Sequence, residues 1–208
     1  GNPEELAKVK DILGSFSTDY ARSGSSRATN VANGTNLVNG TLLYPGESFS
    51  MYETASPFTE ENGYFLAGSY LNGQVVESFG GGICQVSTTF YYTALLAGAN
   101  AVGRNAPIEI IERRPHSWPS VYIDKGLDAT VSWPHTDLKM YNNTATPYFI
   151  HSYIYQKGST LYVNVEFYGT PLPNNAKVKI ETEVISEVQP PEAEKILDRE
   201  NKYNLKPG

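Results

Sequence analysis

The chain carries one cysteine, Cys84, and it closes the run Gly80-Gly81-Gly82-Ile83-Cys84, ahead of Gln85-Val86-Ser87-Thr88-Thr89. A disulfide within the chain needs a second cysteine, so this thiol is free. The glycines strip side chains from the backbone just before the sulfur and let a ligand approach closely. After the sulfur, Thr88, Tyr91, Tyr92, Leu95 and Leu96 recur at helical spacing, and Gly98 is a stop signal. Cys84 is therefore expected at a helix N-terminus, where unpaired N–H groups and the helix dipole favour an anion and lower a thiol pKa. The thiolate is the nucleophile of covalent catalysis. Two blander roles compete with this one. A free cysteine often packs as a small hydrophobe, and glycine turns ahead of helices also bind phosphate. The Gly-Lys-Ser/Thr of a phosphate loop is absent.

A cysteine nucleophile needs a base, and the chain offers three histidines. His151 lies in the alternating stretch Tyr148 to Tyr155 and reads as a packed strand residue. His135, in Trp133-Pro134-His135-Thr136-Asp137, reads as a surface turn. His116, in Arg113-Arg114-Pro115-His116-Ser117, precedes a strand-like stretch, and an element end can aim an imidazole at a neighbouring helix terminus. It is the preferred base. A third group would orient the ring. Asp128 is preferred for that, with Asp124 and Asp137 as competitors; Asp is also favoured in turns and caps for its own sake. The order Cys, His, then a polar orienter is that of papain-like hydrolases, an analogy at fold level only.

Several blocks together resemble the VanW domain family. They are Gly80 to Thr89, Pro115-His116-Ser117, Gly126-Leu127-Asp128-Ala129-Thr130-Val131 and Asp137-Leu138-Lys139. Upstream, Asn39-Gly40-Thr41, then Tyr44-Pro45-Gly46-Glu47-Ser48-Phe49-Ser50, and Arg27 with Asn30, match as well. The likeness runs from about Phe16 to about Tyr168. One departure is Arg114, where the family commonly has His, and this favours His116 as the functional histidine. The resemblance implies cell-wall chemistry, since some VanW-domain proteins are L,D-transpeptidases of peptidoglycan acting through the cysteine of this motif. The Ser-x-Gly-Cys signature of the better-known L,D-transpeptidases is absent, and here His116 follows Cys84 by 32 positions.

On that resemblance, Cys84 attacks the carbonyl of the third, diamino-acid residue of a stem tetrapeptide. Backbone N–H groups near Gly82, Ile83, Cys84 or Gln85 hold the oxyanion. His116, oriented by Asp128, takes the thiol proton and returns it to the departing D-Ala amine. An amine of a neighbouring stem then resolves the thioester into a cross-link. Arg113 or Arg114 can fork a stem carboxylate, while Arg27, Asn30 and Ser117 join Arg113 as substrate-binding candidates through their place in the matched blocks. With water as acceptor the same residues make a carboxypeptidase or endopeptidase. A non-catalytic peptidoglycan- or glycopeptide-binding domain, with Cys84 buried, is the alternative from another class.

Composition bounds these readings. The 208 residues carry 18% charged side chains and a net charge of −6, without the basic runs of a nucleic-acid binder. No stretch approaches the 18 apolar residues of a membrane span. One Cys and three scattered His lack metal-ligand spacing, and no cofactor is implied. The expected partner is the peptidoglycan stem peptide, and the expected place is extracellular, at the cell wall or outer membrane face, reached through an export signal or anchor ahead of Gly1.

The elements that must position these residues read as α+β, helices early and strands late, with the Cys helix packed on a mainly antiparallel sheet. Helices are expected over Pro3 to Leu13 and Ser26 to Leu37. Strands are expected at Phe16 to Thr18 and within Gly63 to Val76, which turns at Asn72-Gly73. Further strands are expected over Ile108 to Glu112, Ser120 to Ile123, Ala129 to Trp133, Lys139 to Asn142, Tyr148 to Tyr155 and Thr160 to Tyr168. The domain organisation expected is a helical lead-in over 1–15, a catalytic domain over 16–170, and a linker with a charged β segment over 171–208. The last resembles the start of a G5 module, with Lys177 to Val188 as its first strand.

Overall fold

The structure, a computed structural model, describes residues 3–21, 23–71, 74–100, 106–116, 120–132, 134 and 136–188. The elements in chain order begin with α1 (Pro3–Leu6), β1 (Asp11–Asp19), α2 (Ser25–Val38), β2 (Thr41–Leu43), β3 (Ser48–Ser50) and α3 (Met51–Ala55). They continue with β4 (Leu66–Leu71), β5 (Gln74–Phe79), α4 (Ile83–Leu96), β6 (Ile108–Glu112), β7 (Lys139–Asn142), β8 (Tyr148–Lys157) and β9 (Thr160–Gly169). The fold is α+β, its helices early and its longest strands late.

The main sheet has the order β1-β9-β8-β2 and is antiparallel throughout. Strands β8 and β9 form a hairpin with Lys157 opposite Thr160. Period-two alternation sends Tyr148, Ile150 and Ser152 of β8 inward, while Phe149, His151 and Tyr153 stay half-exposed on the outer face. A second sheet, β3-β7-β6, and the hairpin β4-β5 complete the strands.

Helix α4 runs through the middle, against β1 and β9, with α2 beside it over β8. It is buried nearly all round, which its sequence permits because its polar residues are mainly Ser and Thr. The Thr89 and Thr93 hydroxyls donate to carbonyls one turn back, and Thr89 also meets Thr18 of β1 at 2.8 Å. Phe90 joins the two sheets. Its ring stacks on Phe49 of β3 at 4.5 Å and meets Phe167 of β9 edge-on at 5.0 Å.

Several expected elements differ. The helix over Pro3 to Leu13 stops at Leu6, and β1 begins at Asp11, because pairing with β9 outweighs a short amphipathic pattern. Ser120 to Ile123 is a series of bends. Of the expected strand Ala129 to Trp133, Trp133 lies outside the described residues, and Ala129 to Ser132 forms only the bridge between Ser132 and Thr136. Here side chains rather than a ladder hold the backbone. Residues 177–188 form no strand and are mostly exposed. Asn72 and Gly73 lie outside the described residues; the β4-β5 pairing runs as far as Leu71 opposite Gln74.

Candidate active site

Helix α4 starts one residue before Cys84, behind a left-handed Gly82 at φ +112°. The glycine run is explained by packing. A Cβ on Gly81 would lie 2.7 Å from the Ala67 carbonyl oxygen, and one on Gly82 would lie 2.9 Å from Val31 and 3.0 Å from Arg27. The space that the sequence assigns to a ligand is thus largely filled by α2 and β4, although Gly82 still reaches the cleft.

Three polar contacts build the site outward from α4. The Thr88 hydroxyl accepts from the Ala129 N–H at 2.9 Å and donates to the Ala129 carbonyl at 3.3 Å. The Cys84 thiol points at the Val131 carbonyl, 3.5 Å away. The segment around Asp128 therefore runs along the first turns of the helix. Asp128 Oδ2 accepts from the His116 backbone N–H at 2.7 Å, and the Thr130 N–H donates to the Arg114 carbonyl at 2.9 Å. This hangs residues 113–116 on the same segment. Cys84 and His116 consequently line one cleft of about 450 Å³, together with Asp19, Arg27, Gln85, Ser120 and Tyr122.

A free thiol on a buried helix, a histidine brought to it by an aspartate, and these blocks in this order match a known family over residues 26–166, described as VanW like protein. The chain belongs to the VanW family. Over 140 residues it is 33% identical to the protein YoaR of Bacillus subtilis (strain 168), covering 67% of this chain and 43% of YoaR. Over 113 residues it is 31% identical to the vancomycin B-type resistance protein VanW of Enterococcus faecalis (strain ATCC 700802 / V583), covering 52% of this chain and 38% of that protein. The chain spans less than half the length of either relative. No solved structure matches it.

Within this VanW domain the remaining site residues divide. Arg27 lines the cleft, its guanidinium held by the Ser23 hydroxyl and, at 3.0 Å, by Gln85 Oε1. Gln85 is buried and donates in turn to Thr18 at 3.0 Å and to the Asp19 carbonyl at 2.8 Å. Its contribution is this side-chain brace. Asn30 is fully buried. It donates to the Phe65 and Gly81 carbonyls and accepts from the Phe65 N–H, so it pins the glycine turn and does not line the cleft. Arg113 is absent from the cleft lining: it donates to the main-chain carbonyls of Asp128 (2.8 Å) and Gly126, lies 3.8 Å from the Asp128 carboxylate and covers the Tyr91 ring. Exposed Arg114 is also outside the lining. Ser117 and His135 lie outside the described residues.

Of the three aspartates, Asp128 is the one that meets His116, through the main chain. Asp137 instead accepts from Ser50 and from the Tyr52 N–H at the start of α3. Asp124 sits before the Lys125-Gly126 turn. His151 is on the outer sheet face, 3.2 Å from Glu166.

Two expectations about the nucleophile are corrected. The Ile83 N–H donates to the Gly80 carbonyl and the Gln85 N–H to the Gly82 carbonyl, each at 3.0 Å, so neither is available to an oxyanion. Burial also pushes the Cys84 thiol above its ordinary value; the hydrogen bond with the Val131 backbone and then the Arg27 charge pull the other way without overcoming it. Desolvation thus outweighs both these contacts and the partial charge of a helix terminus. Sequence reading missed Tyr122, Ser120 and Asp19, which lie in bends or at a strand end with no motif to flag them. Among the described residues no group of three or more His, Cys, Asp or Glu could hold a metal ion.

Proposed function

We propose that this protein is a cysteine-dependent acyltransferase of the bacterial cell wall, an L,D-transpeptidase that cross-links peptidoglycan stem peptides. The observation that carries the reading is one cleft holding the chain's sole thiol and a histidine whose backbone is anchored by a buried aspartate. The relative named for vancomycin resistance supports a wall-related role. The proposed location is correspondingly extracellular, and no helix among the described residues is long and apolar enough to cross a membrane.

Because burial disfavours the Cys84 thiolate, His116 acts as a general base during attack rather than as half of a preformed ion pair. Sγ bonds to the carbonyl carbon of the donor's third residue while its proton passes to the imidazole. The C–N bond to the terminal D-Ala then breaks, and the same proton goes to the departing amine. The thioester is resolved by a side-chain amine of a second stem, or by water in a hydrolase. Arg27 takes the carboxylate role that the sequence suggested for Arg113 or Arg114. It faces the cleft and has no carboxylate partner among the described residues, whereas Arg113 is committed to main-chain carbonyls. Asp19 places an acid on the same rim, suited to an incoming ammonium.

Disaccharide-tetrapeptide incubated with the purified chain and with Cys84→Ala, followed by mass spectrometry, tests this. The expected product is a stem dimer lacking one D-Ala, absent with Cys84→Ala. Cys84-dependent tripeptide alone would make the protein a hydrolase. Tetrapeptide bound but unchanged by both proteins would make it a binding domain.

A further inference from the structure

The Gln85 amide sits where three elements meet. It is buried on α4, and its Nε2 donates to the Thr18 hydroxyl at 3.0 Å and to the Asp19 carbonyl at 2.8 Å, both on β1. Its Oε1 accepts from Arg27 of α2 at 3.0 Å. Only one orientation of the amide works. The Asp19 carbonyl can only accept and a guanidinium can only donate, so a flipped amide would set acceptor against acceptor and donor against donor. The oxygen end is therefore fixed toward Arg27.

Arg27 is held at two corners, Nη2 on Gln85 and Nη1 on the hydroxyl of Ser23. Its stem lies against the helix start, since a Cβ on Gly82 would come 3.0 Å from Arg27 Cγ. The side chain thus runs beside residues 82–85, and Gly82, Cys84, Gln85 and Arg27 all line the cleft. A guanidinium carries five N–H donors in a rigid plane. Ser23 and Gln85 engage two of them, and the others have no acceptor among the described residues.

We infer that Gln85 is a positioning residue: with Ser23 it holds the Arg27 guanidinium so that its free N–H groups receive the terminal carboxylate of the acyl donor. The inference rests on the acyl-transfer reading above. Arg27 lies along the helix turn that carries Cys84, so the carboxylate it takes belongs to the residue next to the attacked carbonyl. The leaving group is then a single C-terminal amino acid. A donor that ends in an amide, or continues past that residue, has no carboxylate at that point. The planar fork matches a carboxylate in shape as well as charge. Without Gln85 the guanidinium keeps its charge, but each donor must order it on binding, a cost that the amide otherwise removes in advance.

Release of the terminal residue is measured with two disaccharide-tetrapeptide donors, one ending in a free carboxylate and one in a carboxamide. Wild type is expected to favour the free acid in kcat/KM by on the order of 10- to 100-fold, as for a hydrogen bond between charged groups. Gln85→Met keeps the side-chain length and removes both ends of the amide. It is expected to lose most of that preference, chiefly through a higher KM for the free acid. An unchanged preference overturns the inference. So does an equal fall on both donors, because Gln85 would then serve only the fold or the thiol. If Gln85→Met does not fold, Ser23→Ala decides from its half-buried position: a reduced preference supports the two-corner hold, and an unreduced one overturns it. Wild type that turns over both donors equally overturns the inference and leaves the acyl-transfer reading standing. Wild type that releases nothing from either donor, while iodoacetamide still alkylates Cys84, overturns the reading and the inference with it.

Discussion

At the scale of single residues, reactivity follows from how Cys84 and Asp128 are surrounded. Desolvation raises the Cys84 pKa, so the thiolate fraction at neutral pH is small and grows as pH rises through the raised value. The iodoacetamide rate is expected to rise with pH around a midpoint above that of an unstructured cysteine peptide measured alongside; a midpoint below it would mean that the helix terminus and Arg27 dominate. Asp128 accepts from His116 and faces Arg113 from a nearly buried position. Asp128→Asn is expected to cost about 1–3 kcal/mol in urea denaturation, the range for hydrogen bonds to charged groups and for a buried partner left unpaired. It should also slow Cys84 acylation, because the loop carrying His116 loses its anchor. A stable variant with normal acylation would remove Asp128 from the site.

At the scale of elements, the start of α4 is held by side chains from other elements rather than by its own cap, since Gly82 supplies none. Asn30 of α2 makes three main-chain bonds, two to Phe65 and one to Gly81, and so ties α2, the lead-in to β4 and the glycine turn together. Asn30→Ala leaves those groups dry and is expected to cost on the order of 3 kcal/mol, read as a lowered urea midpoint. A loss under about 0.5 kcal/mol, the usual span of a surface change, would mean that water replaces the amide. From sequence, Asn30 was legible as a matched residue but not as a pin, because its partners lie 35 and 51 positions away.

At the scale of the whole molecule, two features hold the sheets. Phe90 bridges them through its contacts with Phe49 and Phe167, and Phe90→Ala should cost about 3–5 kcal/mol. On the outer face of the main sheet, Glu166 accepts from Tyr153, Tyr168 and Asn164 and meets His151. Burial pushes the Glu166 pKa up, but the bonds from Tyr168, His151 and Tyr153 outweigh it and leave the carboxyl below its ordinary value. A depressed acid contributes stability above its unfolded pKa and loses it as pH falls through the folded one. Wild type should therefore exceed Glu166→Gln in stability at neutral pH, by about 1–3 kcal/mol, and the two should converge in acid. Parallel stability curves across that range would show that the carboxylate charge contributes nothing.

The sequence by itself determined what is local. The glycine turn and helix around Cys84, the α2 helix, the hairpin at Gly158 and strands β6 to β9 follow from periodicity and turn residues within a few positions of one another. It also pointed to His116 as the proposed base and to Asp128, ahead of Asp124 and Asp137, as its proposed orienter. Tertiary structure alone decided which aspartate meets His116, which arginine faces the cleft, and which N–H groups at the helix start are already engaged. It also decided that packing, not a ligand, fills the space beside the glycines. Those outcomes depend on burial and on partners far apart in the chain, as with Arg27 and Gln85 or Cys84 and Val131. No pattern along a sequence encodes the desolvation that raises the Cys84 pKa; only the assembled core sets it.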